Sequence, residues 1–337
     1  IEGSVTRLER FSACAFAHFL SYGLRLKERK EYKFEAVDLG NVFHKAIEIF
    51  SRNLVKSGYT WTNLPEDEAE KLIEESVEES IVDYGNTVLQ SSARNEYMIT
   101  RMKRMMRRTV WALSKQLAKG DFVPSGYELS FGSGKIDRVD VYETPEKVYV
   151  KVIDYKTGSK SFSLSALYYG LQLQLAVYMN AAVELERRRQ PKKKVVPAGV
   201  FYYRMKDPIV QKVEDEELED AILGELRLDG IINAEEEVVQ HMDKDLKGSS
   251  LVIPVGRNKD ASLSKTSKAF PEEDFELISS YVRQTVEQIE AKIQDGAMDA
   301  FPYEMGSARG CDYCEFRGIC RFDEKIEGCE YRKLGKM

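Results

Sequence analysis

The sequence predicts an α/β domain: a mixed sheet flanked by helices, with further helical material before and after it. Two observations carry this. Helical apolar spacing runs through much of the first 119 residues, then gives way over residues 122–155 to three short segments rich in β-branched and aromatic residues. A helix and a fourth apolar, β-rich segment follow, and a strand that returns after a helix suits a sheet covered by helices.

Residues 5–22 mix apolar and small side chains at helical spacing and contain Cys14. Residues 39–54 form a second helix, with Val42, Phe43, Ala46, Ile47 and Phe50 on one face and His44 near its start. Residues 66–119 read as one or two long helices, hence a layer rather than a linker. Residues 122–131, 134–142 and 147–155 read as a three-stranded meander, punctuated by Gly132, Gly134 and Thr144-Pro145. Residues 163–188 return to helix, and residues 195–203 are the fourth strand. Residues 207–268 are polar, without a chemical motif, and read as an insertion. Residues 272–295 are an amphipathic helix, and the tail beyond Pro302 reads as loop. The organisation expected is one domain over 1–337: helical layer 1–120, sheet core 121–206, insertion 207–268, and helix with cysteine tail 269–337.

The 43% apolar fraction suits a globular core. No run approaches the ~18–20 apolar residues of a membrane span, and no basic stretch leads into an apolar one as in a secretory signal. A cytoplasmic location without membrane partners is expected. The opening residues 1–9 do not read as a natural start, so the chain reads as a piece of a longer one. The net charge of −6 is mild and uneven: residues 214–237 are acidic and 101–115 basic. Nucleic acid responds to the local field, so the sum excludes little.

The densest chemical signal is Gly134-Lys-Ile-Asp137-Arg followed by Val152-Ile-Asp154-Tyr-Lys156-Thr-Gly158. Asp154 and Lys156 are two apart on a strand and share a face. Asp137 lies on the preceding strand, so a hairpin brings its carboxylate beside Asp154. Mg²⁺ takes oxygen ligands, often one or two carboxylates plus phosphate. A nearby ammonium orients water or stabilises a developing oxyanion. That set suffices for phosphodiester hydrolysis. The alternative is a solvated pair on an edge strand, but Val148, Val150, Val152 and Ile153 make this strand interior, where unused charge is costly. Glu128 on the first strand is a further candidate carboxylate, or a strand-surface glutamate. Gln174 and Tyr178, four apart on a helix, can hold phosphate or orient Lys156, or are ordinary surface groups. His44 is a candidate metal ligand or phosphate contact, or a packed histidine; His18 and His241 read as packed. Gly132-Ser-Gly-Lys135 is not a phosphate loop, because Ile136 follows the lysine.

Five cysteines, an odd count, disfavour a secreted disulfide framework. Cys311, Cys314 and Cys320 form a compact three-thiolate set, and Cys14 and Cys329 are candidates for a fourth ligand. Zinc and an iron–sulfur cluster both accept four cysteines, and spacing does not choose. Ligation by Cys14 would close a loop of about 300 residues; by analogy with a disulfide, for which a ~100-residue loop is worth ~4.7 kcal/mol, the closure would be strongly stabilising. Arg101, Arg104 and Arg108 share a helix face, which suits either phosphate tracking or plain solvation.

Taken together, the segment from Ser4 through Cys14 to Phe19, Gly40-Asn-Val-Phe-His44, the Asp137 and Asp154/Lys156 stretches, Gln174-Leu-Ala-Val-Tyr178, Pro197-Ala-Gly-Val-Phe-Tyr-Tyr203 and the Cys311/Cys314/Cys320 group resemble the C-terminal nuclease domains of the AddB subunits of bacterial AddAB helicase–nucleases, within the RecB-like PD-(D/E)xK superfamily. The resemblance covers nearly the whole chain. It implies a restriction-endonuclease-like fold with an iron–sulfur clasp. It implies His44, Asp137, Asp154 and Lys156 as the catalytic set, Gln174 and Tyr178 as the helix motif, and Cys14, Cys311, Cys314 and Cys320 as ligands of a [4Fe–4S] cluster, leaving Cys329 outside. Ala15 stands where that family often has Pro. The implied activity is Mg²⁺-dependent degradation of single-stranded DNA, the 5′-ended strand, beside an AddA-type partner during recombinational repair of double-strand breaks. A stand-alone iron–sulfur nuclease of the same superfamily and a non-catalytic DNA-binding module are the alternatives.

Overall fold

The computed structural model describes residues 4–27, 36–89, 93–132, 134–211 and 214–335. Ile1–Gly3 of the N-terminal stretch and Ser133 of the glycine-rich turn lie outside these residues. Ser4 caps α1 (Val5–Ala13), which buries Val5, Leu8 and Phe11. Cys14, in extended conformation, breaks the chain before α2 (Ala15–His18), and a π-helical turn follows. α3 (Ala36–Ser57), α4 (Glu66–Leu89) and α5 (Ala93–Ala118) make the helical layer; the long stretch is two helices. β1 (Val123–Phe131), β2 (Gly134–Glu143) and β3 (Lys147–Lys156) form the antiparallel meander. After α6 (Leu164–Tyr168) and α7 (Gln174–Arg189), β4 (Lys194–Arg204) returns parallel to β3. The sheet is mixed, as the sequence predicts.

Two elements around the main sheet differ from expectation. The helix expected over 163–188 is two helices, because Gly170 turns the chain at φ +75° and a Cβ there would lie 2.6 Å from Ser12 Oγ. That turn makes Gln174 the first residue of α7. The 207–268 stretch, besides α8 (Leu218–Glu225), supplies β5 (Asp229–Asn233), a fully buried strand antiparallel to β4. Gly230 permits it: a Cβ there would sit 1.8 Å from the Val200 carbonyl oxygen. After α9 (Glu236–Met242), the two-residue β6 (Ala269–Phe270) completes a six-stranded sheet in the order β1-β2-β3-β4-β5-β6.

The sheet separates two apolar cores. Tyr149, Ile153 and Tyr155 face α3, α4 and α5; Val148, Val150 and Val152 face α1, α7 and α10 (Glu272–Gln294). Within the first core lies a buried ionic group. Arg138 donates to Asp140 at 2.6 and 3.0 Å, and Lys151 Nζ stands 2.8 Å from the same carboxylate. The tail carries β7 (Tyr303–Met305), β8 (Ala308–Arg309) and β9 (Arg332–Lys333), a small sheet in place of the expected loop, with α11 (Arg317–Cys320) between. Among the described residues no helix is long and apolar enough to cross a membrane.

The cations of α5 face acids. Arg107 pairs with Glu70 and Glu74, Lys103 with Glu74 and Glu78, and Arg104 and Arg108 with Asp207. Much of that basic stretch is therefore neutralised within the protein.

Candidate active site and cysteine cluster

The last ladder pair of β2 and β3 is Arg138 with Ile153, and one step further Asp137 stands opposite Asp154. Alternation turns Asp154 and Lys156 to the face covered by α1 and α7. Lys156 Nζ makes a close ion pair with Asp154 Oδ2 and donates to Gln174 Oε1 at 2.9 Å. Gln174 Nε2 in turn donates to Tyr178 Oη at 2.8 Å. His44, on α3, brings Nδ1 to 3.5 Å from Asp137 Oδ2, the oxygen that also accepts the Tyr155 amide at 2.7 Å. Glu128 stands across from Asp137, between the pairs Tyr127–Arg138 and Leu129–Ile136. Its φ of +47° is a left-handed conformation rare for a residue with a side chain, and its carboxylate is 3.6 Å from Lys135. All six side chains proposed as catalytic from the sequence, with Glu128, thus meet at one end of the sheet. Asp154 is 1% exposed, and the group opens to solvent on the side of His44 and Lys156.

The electrostatics are those of a site short of positive charge. Burial, then the neighbouring Asp154, push the Asp137 carboxyl well above the usual carboxylate range. Burial also raises Asp154, against the pull of Lys156. Asp154 Oδ2 is shut off from solvent and meets no donor in hydrogen-bond geometry, only the ionic contact with Lys156. Burial, then Lys156, hold the His44 imidazole neutral by lowering its pKa to about 4. Two crowded carboxylates with a vacant lone pair and a neutral imidazole fit a hard divalent cation. Among the described residues no group of three or more His, Cys, Asp or Glu side chains is placed to hold a metal ion.

One contributor is missing from the sequence reading. Glu9, on α1, accepts the amides of Leu173 and Gln174 at 2.8 and 3.1 Å, capping α7, which has no side-chain cap of its own. Its other oxygen lies 3.5 Å from Lys160. Nothing local marks this glutamate; its partners are 164 and 165 residues away. Tyr202, the β4 register partner of Asp154, has Lys156 and Lys160 over its ring at 5.5 and 5.7 Å.

Cys14, Cys311, Cys314 and Cys320 line one small cavity walled by Phe16, Pro302, Phe316 and Phe322. Burial, then Cys320 and Cys314, raise the Cys14 thiol, while the Phe16 and Ala17 amides oppose the shift. Burial likewise raises Cys311 and Cys320. The four thiols thus share one apolar cavity, but among the described residues they are not placed as a metal-holding set, so the expected iron–sulfur clasp is not itself seen. Around them Arg10 pairs with Glu315 at 2.7 Å, the Phe16 amide donates to the Asp299 carbonyl at 3.1 Å, and Arg332 donates to the Ser12 carbonyl. These contacts join the two ends of the described chain. Cys329 does not line that cavity. His18 packs on Phe11 and Tyr22, and His241 stacks on Tyr142 and pairs with Asp121.

Relatives extend the picture. The chain is 43% identical, over 98% of its length, to an ATP-dependent helicase/deoxyribonuclease subunit of Lachnoclostridium phytofermentans, covering 30% of that protein. It is 37% identical, over its whole length, to the corresponding helicase/deoxyribonuclease subunit of Alkaliphilus metalliredigens, covering 31%. The Clostridioides difficile counterpart is 37% identical over 98% of the chain, again with 31% covered. The chain therefore spans about a third of the curated relatives it matches. A family model described as the PD-(D/E)XK nuclease superfamily matches residues 2–321. That match runs from the capping helix through the acid pair to Cys320, the last of the four clustered cysteines, and on it the chain belongs to the PD-(D/E)XK nuclease superfamily.

Proposed function

We propose that this chain is the nuclease part of an AddB-type subunit. It degrades single-stranded DNA, the 5′-ended strand, in a Mg²⁺-dependent exonuclease reaction as an AddA-type partner unwinds the duplex for double-strand-break repair. The observation that carries the reading is the meeting of Asp137, Asp154 and Lys156 at the ends of neighbouring strands. The relatives, named as subunits of ATP-dependent helicase/deoxyribonucleases, support the setting.

Asp137 and Asp154 hold the metal, with His44 and Glu128 as further ligands or holders of its water. A bound Mg²⁺ supplies charge stabilisation on the phosphate oxygens and a more acidic attacking water. Neutral His44 keeps a lone pair free for this work. Lys156 orients the attacking water and faces the developing oxyanion. Gln174 fixes the ammonium, Tyr178 fixes Gln174, and Glu9 fixes the start of their helix. Cys14, Cys311, Cys314 and Cys320 hold a [4Fe–4S] cluster that ties the chain's ends and takes no part in cleavage.

The test is degradation of end-labelled single strands by wild type and Asp154→Asn, with and without Mg²⁺. Wild type cleaves only with the metal and the variant does not cleave. Cleavage by the variant at the wild-type rate sinks the reading.

A further inference from the structure

A polar cavity of about 680 Å³ lies beyond β4 and is built largely from the 207–268 stretch. Arg204, Lys206, Arg227, Arg257 and Lys268 line it, against two carboxylates, Glu225 and Asp229. This is a concentration of positive charge on a chain whose net charge is −6. Asp229 already serves two cations, Arg204 at 3.3 Å and Lys268 at 2.7 Å, Glu225 serves Lys206 at 2.7 Å, and Arg257 makes a close ion pair with Glu236 outside the cavity wall. Arg227 has no carboxylate partner among the described residues; its Nη1 is held by Ser249 Oγ at 3.3 Å and the Ser250 carbonyl at 3.4 Å. A guanidinium steadied by neutral acceptors keeps its charge, and donors on its other edge, for an anion. Ser249, Ser264 and Thr266 add hydroxyl donors to the same wall.

The place of this cavity in the fold gives it meaning. Arg204 is the register partner of Lys156, and Tyr202 is the register partner both of Asp154 on one side and of Asp229 on the other. Register partners project to the same face, so Asp229 and Arg204 share the face and end of the sheet that carry the acid pair. Two strand spacings of about 4.8 Å separate Asp154 from Asp229, about 10 Å in all. The Phe162 amide, from the loop that follows Lys156, donates to Asp229 at 3.0 Å and joins the two regions.

We propose that this cavity is a phosphate-binding subsite for single-stranded DNA, gripping the backbone a short way along from the phosphate held at Asp137 and Asp154. The proposal rests on the nuclease reading of that acid pair. It gives the 207–268 stretch a task, holding the strand in register while its end is cut. A guanidinium without a carboxylate partner, set beside a cleavage site, holds a backbone phosphate without reading bases, which suits a nuclease indifferent to sequence.

The experiment measures binding of a fluorescein-labelled oligothymidylate by anisotropy, in EDTA, across a salt series, with full-length protein. Arg227→Glu weakens binding about tenfold and flattens the logarithmic salt slope by about 0.7, the single-strand value for one lost phosphate contact. Arg227→Lys retains most of both. Arg283→Glu, an exposed arginine on α10, is the control and leaves both in place. Should Arg227→Glu fail to fold, Lys206→Glu gives the same readout. Equal losses in Arg227→Glu and Arg283→Glu, or no loss in either, overturn the subsite. Displacement of the oligonucleotide by inorganic phosphate beyond the effect of equal ionic strength marks a small-anion site and overturns the strand reading. Cleavage of the same oligonucleotide by wild type in Mg²⁺ reports separately on the acid pair. Arg227-dependent binding without cleavage sinks the nuclease reading and leaves the subsite; cleavage with Arg227-independent binding sinks the subsite alone.

Discussion

Lys156 Nζ donates to Gln174 Oε1 at 2.9 Å while it stays paired with Asp154. The amide therefore sets the direction in which the ammonium points. Gln174→Ala lowers kcat about 10- to 100-fold, as loss of an outer hydrogen-bond partner does at metal sites, and moves KM much less. Single-turnover cleavage of end-labelled DNA separates the two effects. A rise in KM with kcat intact would assign Gln174 to substrate binding instead.

Asp154 holds a carboxyl raised by burial, so its charge opposes folding when no cation is present. A folded pKa above the unfolded one contributes stability at acid pH that is lost as pH rises through the folded value. At neutral pH in EDTA, Asp154→Asn therefore melts at or above the wild-type temperature. Mg²⁺ raises the wild-type melting temperature and leaves the variant's nearly unchanged. Scanning calorimetry reads both; a variant melting well below wild type in EDTA contradicts the charge argument.

His18 is lowered to about 4, first by burial and then by Arg7 and Arg10. A depressed folded pKa means the unfolded chain takes up the proton first. Stability present above the ordinary value of 6.5 is thus lost as pH falls toward 4. Unfolding free energy measured in urea between these limits falls more steeply in wild type than in His18→Phe. Parallel slopes would show that other groups carry the acid sensitivity.

The proposed [4Fe–4S] cluster predicts that protein purified anaerobically will be brown and carry about four irons. Cys14→Ser loses the iron and exposes both ends of the chain to limited proteolysis, while Cys329→Ser keeps the iron. Colourless protein with one zinc refutes the cluster.

Asp140 sits between Arg138 and Lys151 with none of the three exposed by more than 6%. Burial opposes its charge, and the two cations more than offset that, holding the carboxyl below its usual range. Asp140→Asn leaves two buried cations without a counter-charge and costs about 3–5 kcal/mol in urea unfolding. A loss below about 1 kcal/mol would mean that water reaches the site.

The meander, the returning strand and the acid pair were legible in the sequence because each is written in local alternation. The positions Val148, Val150, Val152, Asp154 and Lys156 share one face in the structure as period two requires. The break between α6 and α7 was hidden, since Gly170 is a single residue inside an otherwise helical pattern and its reason, Ser12, lies far away in sequence. β5 escaped notice because it is only five residues long, within a polar stretch. Glu9 was invisible for a related reason: a cap supplied by another helix leaves no trace beside the helix it caps. The pairing of Lys103 and Arg107 with acids on α4, and of Arg104 and Arg108 with Asp207, was likewise non-local and left no mark in the helical pattern.

Helix α1 does two jobs over a short length. Glu9 grips the start of α7, and five residues on Cys14 joins the cavity at the far end of the chain. Cys14 is the residue at which α1 ends, so at 1.5 Å per residue the two anchor points lie about 7 Å apart along it. A rod so short transmits tilt with little bending, so a tail that pulls loose drags the blade out of true. A shift of the tail at Cys14 is therefore felt at the start of α7, and so at Gln174, before it unfolds the domain.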